Sequence, residues 1–408
     1  MSETNLALDL GTTTLAGRLL DRRGKVVAEV RRPNPQREVG ADVIRRLEAA
    51  RQGEAERLQA LLVGGVEKVV EELLHLAGIE RDAITAAAAA GNPAICHLLR
   101  RIPVDPILFP PHRPRETSGI FLDPAELGLE LNVPLYLFPL VSGYVGGDLV
   151  AFLYGVGEAS ASRLYVDIGT NGEMALFAGA RWLVTSVAAG PAFEGGEISC
   201  GMTVSPGAVE GVALRGDRLA LKVVGGGIPR GICGSGLASA IAAALEGGLL
   251  DRQGTIVDPL AVETNLSRHV IESAAGRRLS LYRDAAGEVF LTQQDVRNFQ
   301  LAKGAVRAGV DCLLLRAGLS AGRVDEVVIT GAFGFSLDPQ ALKRVALLPP
   351  DVVDKVRFVP AGALAGVGRL LTEPDGRERA EKLADSLHPF PLSGTPAFEQ
   401  AFLSALEF

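Results

Sequence analysis

Cysteine is scarce in this chain of 408 residues: Cys96, Cys200, Cys233 and Cys312 lie far apart, and no two have CxxC spacing. That spacing writes neither a zinc site nor an iron–sulfur cage, and it fits a reduced, cytoplasmic protein. Lys and Arg form no dense stripe, and the formal charge of −7 argues against a general nucleic-acid binder. Long apolar runs are missing too. The most apolar region, 133–156, is interrupted by Pro134, Pro139, several glycines and Asp148, so it makes a poor membrane span. The start, Met1-Ser2-Glu3-Thr4-Asn5, carries no basic n-region of a secretory signal. His75, His97, His112, His269 and His388 form no metal-spaced cluster and read as structural or surface residues.

What is present is ordinary in bulk: 48% hydrophobic and 22% charged residues, in a chain too long for one core. Two domains are expected, 1–160 and 161–408. Val43, Leu47, Leu58, Leu62, Val66, Val69, Val70 and Leu73 recur at helical spacing and predict a largely helical 41–76. Ile84 to Ala90 reads as a strand, and Gly91-Asn92-Pro93 as a helix start capped by Asn92. Leu135 to Leu140 reads as a further buried strand, followed by glycines at 143–147 and a helix from Asp148. Thr292-Gln293-Gln294-Asp295 has capping-box form and opens a helix to about Ala317, with Gly318 as the stop. Strands alternating with helices make an α/β fold.

Two stretches nearly copy each other, Leu6-Ala7-Leu8-Asp9-Leu10-Gly11-Thr12-Thr13-Thr14 and Leu164-Tyr165-Val166-Asp167-Ile168-Gly169-Thr170-Asn171-Gly172. Each runs on into apolar residues and reads as strand, tight turn, strand. An acid before glycine is common turn chemistry, but the repeated Leu-x-x-Asp-x-Gly-Thr frame favours a functional reading. Such turns offer N–H groups and hydroxyls to phosphate oxygens, and Mg²⁺ suits few carboxylates and retained waters. Asp9 and Asp167 are the candidate metal residues of two lobes gripping one nucleotide. Gly11, Thr12, Thr13, Thr14, Gly169, Thr170, Asn171 and Gly172 are the candidate phosphate contacts. No G-x-x-x-x-G-K-[ST] is present, and both turns lead into strands, so this is no Walker loop.

Gly234, Ser235 and Gly236 open an apolar helix and are candidates for the adenosine side, with Gly331, Ala332, Phe333 and Gly334 after the strand 327–330. Gln300 and Lys303, at i, i+3 spacing, can reach a base or ribose, or stand as solvated helix residues. Asp148 is the candidate for orienting an attacking water, with an N-cap role as the plain alternative. Glu173 and Glu194 are competing carboxylates.

These motifs resemble the acetate and sugar kinase, heat-shock chaperone and actin superfamily: Asp9 to Thr14 its first phosphate motif, Asp167 to Glu173 its second, Thr330 to Gly334 its adenosine motif. Asn34-Pro35-Gln36, Gly91-Asn92-Pro93, Gly143 to Asp148, Ala189 to Gly195, Gly231 to Gly236 and Gln300 to Lys303 extend the match. Together they resemble the nucleotide-binding part of the reductive activators of corrinoid enzymes. The resemblance implies two ribonuclease-H-like lobes around a nucleotide cleft, with ATP and Mg²⁺ as cofactors. It also implies an ATPase that helps reduce Co(II) corrinoid to Co(I) on a corrinoid protein or methyltransferase, with room for a homodimer. Members carry an iron–sulfur domain, whereas the four cysteines here lack cluster spacing, so no iron–sulfur cluster is expected in this chain. Either a separate iron–sulfur donor then supplies the electron, or the sequence is an isolated module, or the function has drifted. A small-molecule kinase and a nucleotide-sensing module without turnover are the alternatives.

Overall fold

In the computed structural model, which describes residues 3–159, 161–274, 276–285, 287–331 and 337–408, both repeated stretches are antiparallel hairpins. The chain separates into two units. The first comprises Met1–Ser160, Arg181–Val184 and Ala361–Phe390, and the second Ala161–Ala180, Thr185–Pro360 and Pro391–Phe408.

The first unit holds a six-stranded sheet made of β1 (Thr4–Leu10), β2 (Thr14–Asp21), β3 (Val26–Pro33), β4 (Ile84–Gly91), β5 (Ile120–Leu122) and β6 (Leu135–Leu137). Their order is β3-β2-β1-β4-β6-β5. β1 is antiparallel to β2 and parallel to β4. Its residues are almost continuously buried, as a strand covered on both faces requires. The helix Ala55–Ala77 lays Leu62, Val66, Val69, Val70 and Leu73 into this core, and Leu58 into a smaller cluster with Leu47 and Leu98. It ends at Gly78 in the left-handed region, where the Ile79 N–H closes on the Leu74 carbonyl. The helical stretch expected over 41–76 is broken: Val43–Ala49 and Ala55–Ala77 flank a wide turn, Ala50–Glu54, in which Gly53 has φ 104°.

Ala361–Phe390, which sequence order would leave with the later part of the chain, belongs to the first unit because its polar groups are satisfied there. Tyr154 donates its hydroxyl to Glu373 at 2.5 Å, and the Arg369 guanidinium donates to the Tyr154 carbonyl at 2.8 Å. The Gly119 N–H donates to Glu381 at 2.7 Å.

In the second unit β7 (Arg163–Ile168) pairs antiparallel with β8 (Asn171–Ala178) and parallel with the strand Glu326–Gly331. Glu326–Gly331 is in turn parallel to Val356–Phe358. Two smaller three-stranded sheets complete it, one from Ala208–Arg215, Arg218–Val223 and Gly231–Ile232, the other from Val270–Ser273, Gly276–Arg283 and Glu288–Thr292. The helix Gln293–Ala317 opens with the Thr292–Asp295 capping box.

The internal repeat extends beyond the hairpins. In the first unit Leu10 pairs with Gly91 on the parallel neighbour, and in the second Ile168 pairs with Gly331. Each hairpin therefore sits beside a parallel strand ending in glycine, one residue past its acid.

Candidate phosphate and metal site

The first hairpin is held from behind by its own carbonyls. The Asn34 side-chain amide donates to the Gly11 carbonyl at 2.9 Å, and its backbone N–H to the Thr13 carbonyl at 2.8 Å. Between them, Arg46 Nη1 donates to the Thr12 carbonyl at 2.8 Å. Three successive carbonyls, the groups that would repel an anion, are thus tied to the Asn34–Arg46 segment. Asn34 and Gln36 are fully buried, and Gln36 Nε2 donates to the Leu58 carbonyl at 2.9 Å.

Asn92 joins the turn to β4. Its Oδ1 accepts the Ile95 N–H at 3.0 Å, the expected helix cap, and its Nδ2 donates to Thr12 Oγ1 at 2.8 Å. Asp148 arrives from another direction. The helix Gly147–Val156 takes Gly146 as its cap, so Asp148 is a first-turn residue and not the cap residue. A Cβ on Gly146 would lie 2.5 Å from Asn92 Cα and 2.8 Å from Asp148 Oδ1, so only glycine lets these segments close. Asp9 and Asp148 are both half-buried. Burial first, and then the negative charge of Asp148, push the Asp9 carboxyl up to about 7, with Arg31 and Arg18 opposing. Asp148 is also raised by burial, against the N–H of Leu149 that favours its charge. Two desolvated carboxylates raised in this way are an arrangement that a divalent cation relieves. Among the described residues no group of three or more His, Cys, Asp or Glu has metal-holding geometry. A carboxylate from Asp9, with retained waters and Asp148 beside it, fits the few direct ligands that Mg²⁺ takes.

In the second unit, the parallel register sets Thr330 beside Asp167. Gly331 has φ 97°, and a Cβ there would meet the Ile168 carbonyl and come within 2.6 Å of Asp167 Oδ1. Thr170 donates its hydroxyl to Glu194 at 2.5 Å, and its carbonyl accepts the Gly190 N–H at 2.9 Å. Glu194 ends the turn Pro191–Glu194, and the carbonyl of Phe193 in that turn lies against Gly234. Asp167, Gly169–Gly172, Glu194, Gly331 and the buried start of the helix Gly234–Glu246 thus form one neighbourhood. Ser235 Oγ lies 3.4 Å from Cys233 Sγ. Glu173 is buried, 3.5 Å from Ser186 Oγ. Ala332, Phe333 and Gly334 lie outside the described residues.

Lys303 and Gln300 are buried rather than solvated, and both hold the segment Leu406–Phe408. Lys303 Nζ donates to the Glu407 carbonyl and sits 5.0 Å from the Phe408 ring. Gln300 Nε2 donates to the carbonyls of Leu406 and Gln253 at 2.9 and 3.0 Å. Burial and the charge of Arg307 pull Lys303 down to about 8.

The residues that sequence reasoning passed over as site residues are Asn34 and Arg46. Arg46 shares the buried side of its short helix with Leu47, and an arginine at an apolar helical position was the available signal. No helix among the described residues is long and apolar enough to cross a membrane.

Comparison with known proteins identifies the family and the fold. Residues 161–408 match the family model described as the C-terminal domain of RACo, the ASKHA domain, and residues 4–158 match the RACo middle region. The corrinoid activation enzyme RamQ of Eubacterium limosum is 30% identical over 374 residues, covering 88% of this chain and 63% of that protein. A [Co(II) methylated amine-specific corrinoid protein] reductase of Methanosarcina barkeri is 25% identical over 402 residues, 86% of this chain and 67% of its own. A solved reductive activator for corrinoid, iron–sulfur protein superposes with TM-score 0.93 at 30% identity, over 100% of this chain and 66% of that one. The chain therefore spans about two thirds of the length of these relatives. The fold is the ASKHA fold, that of acetate and sugar kinases, heat-shock chaperones and actin.

Proposed function

This chain belongs to the RACo family, and from that premise we propose that it binds and hydrolyses Mg-ATP to drive reduction of Co(II) corrinoid on a partner protein. RamQ is named a corrinoid activation enzyme, and the Methanosarcina barkeri relative a reductase of a Co(II) methylated amine-specific corrinoid protein. The observation that carries the nucleotide reading is the first hairpin, whose Gly11, Thr12 and Thr13 carbonyls are all tied back beside two charge-strained acids.

When bound, Mg²⁺ would offset the charge that builds on the phosphate oxygens. Asp9 is the metal residue of the first hairpin and Asp167 that of the second. The turns Gly11–Thr14 and Gly169–Gly172 line the phosphates, with the Gly11 and Gly169 N–H groups closing each turn on the carbonyls of Thr14 and Asn171 and Asn92 fixing the Thr12 hydroxyl. Gly234–Gly236 and Gly331–Gly334 serve the nucleoside. Asp148, raised by burial, accepts the proton of the attacking water and orients it toward the terminal phosphorus. Coupling worth ~1–3 kcal/mol moves a one-electron potential by roughly 40–130 mV, enough to help an uphill transfer without completing it.

The test is steady-state ATPase activity with and without a Co(II) corrinoid protein, in the presence of an external low-potential reductant and followed by the Co(I) absorbance. Stimulated ADP release together with Co(I) supports the reading. Release stimulated by a sugar or carboxylic acid would make the chain a kinase. Tight ATP binding without turnover would make it a nucleotide sensor.

A further inference from the structure

Arg46 is among the largest fully buried side chains of the molecule, 1% exposed on the short helix Val43–Ala49. Its acceptors are all neutral: Nε donates to the Gly40 carbonyl at 2.8 Å, and Nη1 to the Thr12 carbonyl at 2.8 Å and Gln36 Oε1 at 3.3 Å. Nη2, also buried, meets no acceptor. Among the described residues the carboxylate whose charge reaches it, Asp42, caps the helix by accepting the Arg45 N–H and pairs with the Arg45 guanidinium at 3.4 Å. Asp9 is opposed by Arg18 and Arg31. Arg46 thus places a positive charge behind the first hairpin, and among the described residues no counter-ion touches it.

A buried charge without a partner is destabilising, and neutral side chains satisfy a carbonyl equally well. The tie to Thr12 alone therefore does not explain an arginine. We propose that the Arg46 guanidinium is the countercharge for a polyphosphate seated on the Gly11–Thr14 turn, acting through the Thr12 peptide group. Its Nη1–H polarises the Thr12 carbonyl, and its charge lowers the energy of an anion on the other side of the turn. Burial keeps water and salt from screening that charge. Although burial lowers the guanidinium to about 10, it stays protonated at neutral pH. This inference rests on the reading of the hairpin as a phosphate site, and it makes Arg46 a positioning residue with an electrostatic role.

The role predicts a loss graded by ligand charge, which a scaffold role would not give. Binding of adenosine, Mg-ADP, Mg-ATP and inorganic tripolyphosphate is measured by calorimetry on the parent, Arg46→Lys and Arg46→Met, with the unfolding midpoint of each. Arg46→Met is expected to weaken Mg-ATP and tripolyphosphate at least about tenfold, Mg-ADP less, and adenosine not at all. Arg46→Lys, which keeps the charge, should stay within about threefold of the parent for every ligand. Should Arg46→Met fail to fold, Arg46→Gln carries the same expectation. Equal losses for adenosine and Mg-ATP, or parent-like binding of Mg-ATP by the neutral variant, overturn the inference and leave the hairpin reading standing. A parent chain that binds neither Mg-ATP nor tripolyphosphate overturns both.

Discussion

Asn92 donates to Thr12 with the same amide whose oxygen caps the helix Pro93–Arg100. The two bonds separate by substitution. Asn92→Ala should lose about 1–2 kcal/mol of stability and weaken Mg-ATP several-fold. Asn92→Ser keeps a capping oxygen, so it should regain most of the stability and little of the affinity. Urea unfolding and calorimetry on the same preparations check both.

Asp167 fills the room that a side chain at Gly331 would need. Gly331→Ala should therefore cost about 2 kcal/mol or more and abolish Mg-ATP binding. Gly179, with φ 57° and nothing near its Cβ position, is the control for backbone strain alone. Gly179→Ala should cost about 1 kcal/mol and leave binding intact.

Asp9 ionises only near pH 7 in the folded chain, against about 3.9 in a free chain. The unfolded chain releases that proton earlier as pH rises. The stability held by the protonated carboxyl is thus complete below about pH 4 and lost through pH 7. Asp9→Asn should match the parent at pH 4 and exceed it at pH 8. The margin is about 1–2 kcal/mol, discounted because the carboxyl is half open to solvent. Millimolar Mg²⁺ at pH 8 should raise the unfolding midpoint of the parent and not of the variant.

Lys303 titrates in the opposite sense. Its folded value of about 8 lies below that of an exposed lysine, so the unfolded chain binds more protons between pH 8 and about 10.4. Across that window the parent should gain up to about 3 kcal/mol relative to Lys303→Met. Urea midpoints at pH 7.5 and 10 for the two proteins measure the difference.

Asp148→Asn should lower turnover of ATP roughly 10²–10³-fold while changing its dissociation constant little. Single-turnover hydrolysis alongside calorimetry separates the two. A parallel loss of affinity would move Asp148 from water positioning to metal holding.

The parts of the site legible in the sequence are those made by neighbours along the chain. Each hairpin closes within ten residues of its acid, and the Asn92 cap and the Thr292–Asp295 box are three-residue devices. What escaped depends on partners far along the chain. Arg46 meets Thr12 from 34 positions away, and Lys303 meets Glu407 from 104. Spacing within one helix says which face a lysine occupies, and nothing about the strand or tail that covers it. Asp148 shows a third limit: its residue type favours a cap, yet the cap went to Gly146 because the close approach to Asn92 leaves no room for a side chain there.

The bond from Tyr154 to Glu373 spans 219 positions, and it has a consequence for synthesis. At ~5–20 residues per second, a ribosome needs roughly 10–45 s to deliver Glu373 after Tyr154. Throughout that interval the nascent opening unit lacks the helix Gly362–Thr372 that will lie against Ala151 and Tyr154. A chaperone would be needed most in that window.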